Sequence, residues 1–338
     1  MKVLVTGASG FFGCSLVPAL KAASHEAITF GRRQGIPRFA HLNIEHRRGD
    51  ISDSSSLTKA FDGIDVVIHM AGLVSYRKTD YLKLYQSNVV GTANVMQAAL
   101  SAGVGRVIHM SSIAGMGIPP EGTVGTEGIE YNLSGRGLHY CDTKHGSELK
   151  ALSFFTQGLP VIILEPGITF GEGDTHPHHH TIFRSMQKGG QIGYPKGGVM
   201  FSDIQDVVRT TINAMSQGRP GERYVVGSAN LTFRDSSIAL SKVIGGRIPV
   251  FPIPGAISEL AGVASEAIVP LFGQTPKLTW QVAWLSQHKI FFSSDKAMKE
   301  LGHKQTPFEE TIRRTAPYYL GCATSENSSG ELIHKNCI

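Results

Sequence analysis

The sequence is poor in the residues and runs that mark several specialised classes of protein. Its 338 residues include four cysteines, Cys14, Cys141, Cys322 and Cys337, which show neither a metal-ligand spacing nor a dense disulfide pattern. Cysteines this sparse are typical of free thiols in a reducing compartment. The chain also has no long run of lysine or arginine, and its net charge is only +5. We therefore expect no nucleic-acid partner.

Long hydrophobic runs are missing as well. The most apolar stretch, Ala256–Phe272, is interrupted by Glu259 and Glu266, so we expect a core helix there and no stable membrane insertion. Association of Ile257–Phe272 with a membrane surface is the alternative interpretation. The N-terminus begins with an apolar strand and shows no basic segment followed by an apolar signal region, which predicts a cytoplasmic location. Hydrophobic residues make up 41% and charged residues 17% of the chain, as is typical of a globular enzyme.

A glycine-rich turn follows the first predicted strand. Lys2–Gly13 reads KVLVTGASGFFG, and its run Val3–Val5 is typical of a strand buried on both faces of a parallel sheet. Gly7, Gly10 and Gly13 permit a sharp turn, a close approach of the backbone to a pyrophosphate, and close packing of the next helix. The unpaired N–H groups at the start of that helix favour an anion. The stretch therefore predicts a dinucleotide-binding site.

Apolar strands and amphipathic helices alternate along the first half of the chain. After the first strand, we predict strands at Glu26–Phe30, Ile44–Arg48, Asp65–Met70, Arg106–Met110 and Val161–Glu165. A long helix is predicted between the fourth and fifth strands, from about Asp80 to Ala102. This alternation predicts an α/β fold with a Rossmann-type doubly wound parallel sheet. We expect residues 1–165 to form the dinucleotide-binding domain. Residues 166–322 would form mainly a smaller α/β substrate-binding lobe, with some segments returning to the first domain, and residues 323–338 a polar tail.

The second predicted strand is followed by two arginines, Arg32 and Arg33. Many NAD sites place an acidic residue here to hold the ribose hydroxyls, and this sequence has none. A guanidinium group suits the 2′-phosphate of NADP through paired hydrogen bonds. We therefore expect NADP in preference to NAD, with a solvated pair of arginines as the alternative interpretation.

Three residues have the chemistry that carbonyl reduction requires. Tyr140 and Lys144 are four residues apart in a predicted helix, His139–Phe155, and so share one face. A neighbouring cation favours the phenolate, so the phenol could exchange a proton near neutral pH. Ser112 follows the fifth strand, where its hydroxyl could polarise a substrate carbonyl. The glycine-rich stretch Ile113–Leu138 is predicted to be irregular and to form part of the substrate cleft. An ordinary exposed helix is the alternative interpretation of the Tyr140–Lys144 pair.

Seven motifs together resemble one known family. They are TGASGFFG, Gly49-Asp50, HMAG, NVVGT, HMSS, YCDTK and EPGITFG. The set is similar to the extended short-chain dehydrogenase/reductase family, also called the NAD-dependent epimerase/dehydratase family, and to its dihydroflavonol-reductase-like branch. Further similarity at Phe201–Val208, Gly218–Gly227 and Ser293–Gly302 extends the resemblance over nearly the whole chain.

The resemblance implies that Ser112, Tyr140 and Lys144 are catalytic. It places Asp50 and Ile51 near adenine, Ala71 near the adenosine ribose and Pro166 to Thr169 near nicotinamide. The complete set of expected cofactor contacts is Gly7, Ser9, Gly10, Phe11, Phe12, Gly13, Arg32, Arg33, Asp50, Ile51, Met70, Ala71, Gly72, Tyr140, Lys144, Pro166, Gly167, Ile168 and Thr169.

The expected substrate is a small molecule with a carbonyl or hydroxyl group. An NAD-dependent nucleotide-sugar epimerase or dehydratase is the alternative function, although Glu165 stands where many such enzymes carry an arginine. Long helices beside the cleft could pair in a homodimer. A run of histidines, His176 and His178 to His180, invites a metal interpretation, but adjacent histidines in a loop rarely meet one ion with good geometry, and we expect no native metal.

Overall fold

Residues 1–321, 323–326 and 332–335 are described by a computed structural model. The strands are β1 Lys2–Thr6, β2 Glu26–Gly31, β3 Glu45–Arg48, β4 Val66–His69, β5 Arg106–Met110, β6 Val161–Pro166, β7 Ile168–Phe170, β8 Gly193–Pro195, β9 Gly198–Asp203, β10 Arg223–Val226, β11 Ala229–Thr232, β12 Phe251–Ile253, β13 Lys289–Ile290, β14 Ala323–Glu326 and β15 Leu332–Lys335. The α-helices are α1 Phe11–Ala22, α2 Ser54–Ala60, α3 Tyr81–Leu84, α4 Gly91–Ser101, α5 His139–Phe155, α6 Pro177–Gln187, α7 Ile204–Gln217, α8 Phe233–Ile244, α9 Gly255–Ile268, α10 Trp280–Leu285, α11 Asp295–Leu301 and α12 Phe308–Gly321.

A parallel sheet with the order β10-β6-β5-β4-β1-β2-β3 forms the centre of the molecule. The side chains of β1 alternate between its two faces: Val3 and Val5 pack with α1, α7 and α11, whereas Leu4 packs with α2, α4 and α5. Both faces of the sheet are therefore covered by helices, which explains the continuous apolar runs of its strands. The predicted doubly wound α/β fold is confirmed.

The elements of the first half lie close to their predicted bounds, and α5 has the predicted bounds themselves. One difference occurs in the helix predicted from Asp80 to Ala102. A π-helical turn, Tyr85–Val90, separates α3 from α4. This turn carries Asn88, whose side chain accepts a hydrogen bond from the backbone N–H of Leu73 (2.7 Å) and donates one to its carbonyl oxygen (3.0 Å). The wider turn thereby joins the helix to the loop that follows β4.

The C-terminal lobe is built on a smaller mixed sheet. Its order is β11-β9-β13, with β7 also paired to β9, and apolar rings from β7, β9, α6 and α12 fill its core. Most of these strands are too short to show a period in the sequence, and they were not predicted. The strand β10 pairs with β6 in the central sheet. The proposed division at residues 165 and 166 stays a prediction.

The apolar helix near residue 260 does not pack in a core, so this prediction is wrong. The helix α9 continues as a 3₁₀ turn, Val269–Phe272, and within α9 only Gly262 is buried. Among the described residues, Gly255–Phe272 is the one helical stretch with the length and composition to cross a membrane. The prediction failed because Glu259 and Glu266 face the protein, and the apolar side chains point away from it.

Only part of the predicted polar tail, 323–338, is described. Within it, β14 and β15 pair in antiparallel orientation, and the other positions lie outside the described residues. Cys14 and Cys141 are free thiols, whereas Cys322 and Cys337 are not among the described residues.

Candidate active site

The glycine-rich turn links β1 to α1 beside the end of β4. Gly7 has a φ of +72°, which favours glycine, and a Cβ there would lie 2.7 Å from the backbone nitrogen of Ala71. A Cβ on Gly13 would lie 2.2 Å from the carbonyl oxygen of Ala8. Side chains at these two positions would therefore displace the backbone of the turn.

The N-terminus of α1 has features of an anion site. Gly10 is the N-cap residue and supplies no side-chain hydrogen bond, and the first turn contains no acidic residue. The N–H groups at the start of the helix therefore keep their capacity to bind a ligand, and the helix dipole adds positive potential. The predicted contacts Ser9, Phe11 and Phe12 belong to this segment. It lies at the β1/β4 boundary, where the strand order reverses direction and open α/β sheets bind ligands. These residues fit a dinucleotide pyrophosphate.

The segment Met70–Gly72 runs along the same edge of the sheet. Met70 donates its N–H to the carbonyl oxygen of Thr6 at 3.2 Å, and Ala71 donates its N–H to the Thr6 hydroxyl at 3.3 Å. The segment is thus held against the end of β1, which brings it beside the glycine-rich turn.

The predicted adenosine contacts lie beyond β2 and β3. Asp50 Oδ1 accepts hydrogen bonds from the backbone N–H and the hydroxyl of Ser52, which together with the nearby charge of Arg32 lower the pKa of Asp50. Arg32 and Arg33 are exposed. Ile51 packs toward Gly91 at the start of α4. The arginines are therefore accessible to an anionic group on the side of the sheet where Asp50 lies.

The predicted nicotinamide contacts, Pro166 to Thr169, connect β6 to β7. The backbone N–H of Gly167 donates to the Ser202 hydroxyl at 2.9 Å, and the Thr169 hydroxyl donates to the carbonyl oxygen of Gly167 at 3.0 Å. These bonds fix the backbone at the end of a central strand, on the same edge as the glycine-rich turn.

Ser112 and Tyr140 come together at this edge, and Lys144, one helical turn from Tyr140 on α5, reaches the end of β5. The Ser112 hydroxyl is within hydrogen-bonding reach of the Tyr140 phenol. Burial raises the pKa of Tyr140, and the contact with Ser112 partly opposes that rise. The expected lowering of this pKa by Lys144 is therefore not seen, because burial dominates. Lys144 Nζ donates to the carbonyl oxygen of Met110 at 2.9 Å, and burial lowers the pKa of Lys144 to about 8. The neighbouring serine, Ser111, instead donates its hydroxyl to Glu148, so the structure distinguishes the two serines.

Tyr76 was not singled out by the sequence. Its ring meets the Tyr140 ring edge-on, with centroids 5.2 Å apart, and burial raises its pKa strongly. It follows β4 in an irregular loop that Asn88 holds in place. No local pattern marks such a residue, because its position depends on a contact between segments that are distant in sequence.

A buried charge cluster lies behind the site. Arg223 Nε donates to Glu165 Oε1 at 2.7 Å, and its Nη2 lies 3.4 Å from Glu148 Oε2. Burial and the charge of Glu148 raise the pKa of Glu165 strongly. These carboxyl groups raise the pKa of Lys144, against the larger effect of burial. Glu165, the departure from the family pattern, is thus paired inside the protein.

The histidine run is organised around Asp174. His176 Nδ1 lies 2.6 Å from Asp174 Oδ1, His179 Nδ1 lies 2.6 Å from Oδ2, and the Tyr319 hydroxyl donates to Oδ2 at 2.6 Å. Asp174, His176 and His179 form a group compact enough to be considered for a metal ion. The observed distances are those of hydrogen bonds, shorter than the roughly 3.3 Å between two ligands of one tetrahedral ion. The absence of a native metal stays a prediction. His176 also meets the Phe11 ring, with centroids 6.1 Å apart, so the group adjoins the glycine-rich turn.

Comparison with known proteins agrees with this architecture. The model of the NAD dependent epimerase/dehydratase family matches residues 3–227. Sterol demethylase protein B of Methylococcus capsulatus is 32% identical, over 89% of this chain and 93% of that protein. A putative dihydroflavonol 4-reductase of Synechocystis is 26% identical, over 91% of each chain. The crystal structure of a nucleoside-diphosphate-sugar epimerase from Pseudomonas aeruginosa matches with a TM-score of 0.75 and 26% identity, over 95% of this chain and 98% of that one. The chain therefore belongs to the NAD-dependent epimerase/dehydratase family and is an NAD(P)-dependent enzyme of the extended short-chain dehydrogenase/reductase type.

Proposed function

We propose that this enzyme is an NADP-dependent oxidoreductase that reduces a ketone or aldehyde by hydride transfer. The observation that carries the proposal is the contact between Ser112 and Tyr140 at the carboxyl edge of the sheet, with Lys144 one helical turn away and hydrogen-bonded to the end of β5. The uncapped N-terminus of α1 lies at the same edge. The name of the Synechocystis relative, a putative reductase, agrees with this reaction class.

The cofactor would lie along this edge. The N–H groups at the start of α1 would hold its pyrophosphate, and Arg32 and Arg33 would bind the 2′-phosphate. Asp50 and Ile51 would contact adenine, and the segment after β6 would contact nicotinamide. When bound, NADPH supplies the hydride that reduces the carbonyl carbon.

The side chains of the protein would act on the carbonyl oxygen. The hydroxyls of Ser112 and Tyr140 would donate hydrogen bonds to this oxygen and so stabilise the charge that develops on it. Because its pKa is raised, Tyr140 is protonated and can give its proton to the oxygen as the alcohol forms. Lys144, with a pKa of about 8, is mostly charged at neutral pH and would stabilise the phenolate until solvent returns a proton.

Replacing Tyr140 with phenylalanine tests this role. We expect Tyr140→Phe to lower kcat by a factor of about 10² to 10⁴, because the general acid is lost while the ring remains. The dissociation constant for NADPH should stay within about twofold, because the hydride donor binds mainly through other groups. The measurement is NADPH consumption at the nicotinamide absorbance band across a panel of carbonyl compounds, together with a fluorescence titration of NADPH.

Tyr85→Phe is a matched control, because Tyr85 carries an exposed phenol in the π-helical turn, and it should turn over like the wild type. Full turnover by Tyr140→Phe with normal NADPH binding would refute the proposed mechanism.

A nucleotide-sugar epimerase or dehydratase is the second candidate, and the similarity to the Pseudomonas aeruginosa epimerase favours it. Against it, Glu165 stands where many such enzymes carry an arginine, and it is paired with Arg223 inside the protein. This position therefore supplies no cation for a diphosphate. The two functions differ in cofactor balance. The proposed reductase consumes one NADPH for each alcohol formed, whereas an epimerase converts a nucleotide sugar with no net change in cofactor.

A further inference from the structure

An apolar surface covers one side of the C-terminal lobe, and we call it the outer apolar face. Its exposed residues are Ile192, Ile248, Val250, Phe251, Ile257, Leu260, Val263, Ile268, Leu271 and Phe272. Leu260, Leu271 and Phe272 remain 71%, 80% and 76% exposed. Soluble monomers rarely show apolar surfaces this extensive without a binding role.

The outer apolar face is formed by consecutive, connected elements. The strand β12 pairs with β8, and Val250 donates its N–H to the carbonyl oxygen of Ile192 at 2.9 Å. Pro254 then leads directly into α9, and the 3₁₀ turn extends the helix to Phe272. Most of the outer apolar face, from Ile248 to Phe272, therefore belongs to one continuous segment of the chain.

The inner side of α9 is fixed to the protein. Glu266 accepts a hydrogen bond from the backbone N–H of Trp280 at 3.1 Å, and Glu259 accepts one from the Trp280 indole at 3.3 Å. A Cβ on Gly262 would lie 2.8 Å from the Trp280 nitrogen, so helix and neighbour are in close contact. A helix crossing a bilayer would have to break these contacts and bury both carboxylates in hydrocarbon. The structure therefore favours a helix that lies flat on an apolar surface.

Within the segments that form the outer apolar face, the exposed charges have one sign. In the segments 186–197 and 245–279, the exposed charged residues are Lys188, Lys196, Arg247 and Lys277. The only acids of these segments are the two glutamates that face Trp280. A second copy of this chain on the same surface would bring like charges together, whereas anionic lipid headgroups would complement them.

We propose that the outer apolar face binds the surface of an anionic lipid membrane, with α9 lying in the interface and the four cations at the headgroups. An apolar helix face flanked by cations is the arrangement that interfacial helices use. This inference is independent of the reaction that the enzyme catalyses.

The proposed membrane-binding face lies close to the cleft. Trp280 and Trp284 of α10 pack against Leu138 and Cys141, and these two residues lie next to Tyr140. The membrane-bound face is therefore separated from the site by a single helix.

Sedimentation with lipid vesicles tests the proposal on the full chain, without detergent, substrate or cofactor. The probes are vesicles of phosphatidylcholine alone and of phosphatidylcholine mixed with phosphatidylglycerol. We expect binding to the mixed vesicles, weaker binding to the neutral ones, and a decrease with added salt that leaves a residual apolar component. The triple variant Leu260→Ser/Leu271→Ser/Phe272→Ser should bind at least about tenfold more weakly.

A matched pair of single variants controls for the change in residue type. Leu271→Ser should weaken binding, whereas Met298→Ser, at an exposed position on α11, should bind like the wild type. Thermal unfolding confirms that each variant is folded. Equal binding by the triple variant and the wild type would overturn the proposal. The proposal would also be overturned if the wild type bound neither kind of vesicle. This holds whether the wild type is monomeric or forms a dimer that the triple substitution dissociates.

Discussion

Arg32 and Arg33 decide the cofactor in our proposal, and replacing them measures their effect. Replacing both with alanine should raise the KM for NADPH about tenfold to a hundredfold, because charge-assisted hydrogen bonds to the 2′-phosphate are lost. The KM for NADH should change by less than about twofold, because NADH lacks that phosphate. Lys59→Ala, which removes an exposed cation from α2, serves as the control. Equal effects on both cofactors would show that the arginines do not recognise the 2′-phosphate.

Local spacing made some residues of the site predictable. Tyr140 and Lys144 share a helix face, and Ser112 follows a strand, so the sequence alone predicts that all three lie near one edge of the sheet. Tyr76 could not be found in this way, because its contact with Tyr140 links a loop to a distant helix. Glu165 departs from the family pattern in the sequence, but its partner comes from β10, and only the folded structure shows that the pair is internal.

At the scale of elements, α6 carries a pH-dependent contribution to stability. Partial burial lowers the pKa of His176, but the hydrogen bond and charge of Asp174 outweigh it, so the net pKa is raised above 6.5. For Asp174, burial raises the pKa, but the charges and hydrogen bonds of His179 and His176 outweigh burial and bring this pKa below 3.8. A histidine whose pKa is raised in the folded state stabilises the fold at low pH. This stabilisation is lost as the pH rises through the pKa of the folded state. A lowered carboxyl pKa stabilises the fold above its unfolded value and loses this effect as pH falls.

The two effects overlap between about pH 4 and 6.5. We expect His176→Ala to lower the free energy of unfolding most within this window, and the difference from the wild type to shrink above about pH 8. Urea unfolding at a series of pH values measures it. His41→Ala, which removes an exposed histidine, should show no such window. A deficit in His176→Ala that stays constant with pH would contradict the linkage.

Periodicity predicted the elements of the central sheet because each is long enough, or buried enough, to show its pattern. It failed at α6, where the histidines were expected to lie in a loop. The start of this helix is instead held by Asp174, which lies outside it and accepts a hydrogen bond from the backbone N–H of His176. It also failed at α9, where composition suggested burial. The sequence of a helix shows how many apolar side chains it carries. Which side of the helix packs against the protein depends on the element that it contacts, and the sequence of the helix does not show this.

Among the described residues of the whole molecule, another exposed apolar area lies on the helices beside the cleft, where we predict that a homodimer would form. Tyr81, Tyr85 and Leu149 are exposed there, and Leu149 keeps 54% of its surface. If two copies pair through this area, Leu149→Asp should shift the mass measured by light scattering from twice 36.4 kDa to the monomer value, because a carboxylate would be buried in the interface. Leu271→Asp, on the outer apolar face, should stay dimeric while losing vesicle binding. Dissociation by Leu271→Asp would instead show that the outer apolar face joins the subunits, and a monomeric wild type would refute the homodimer.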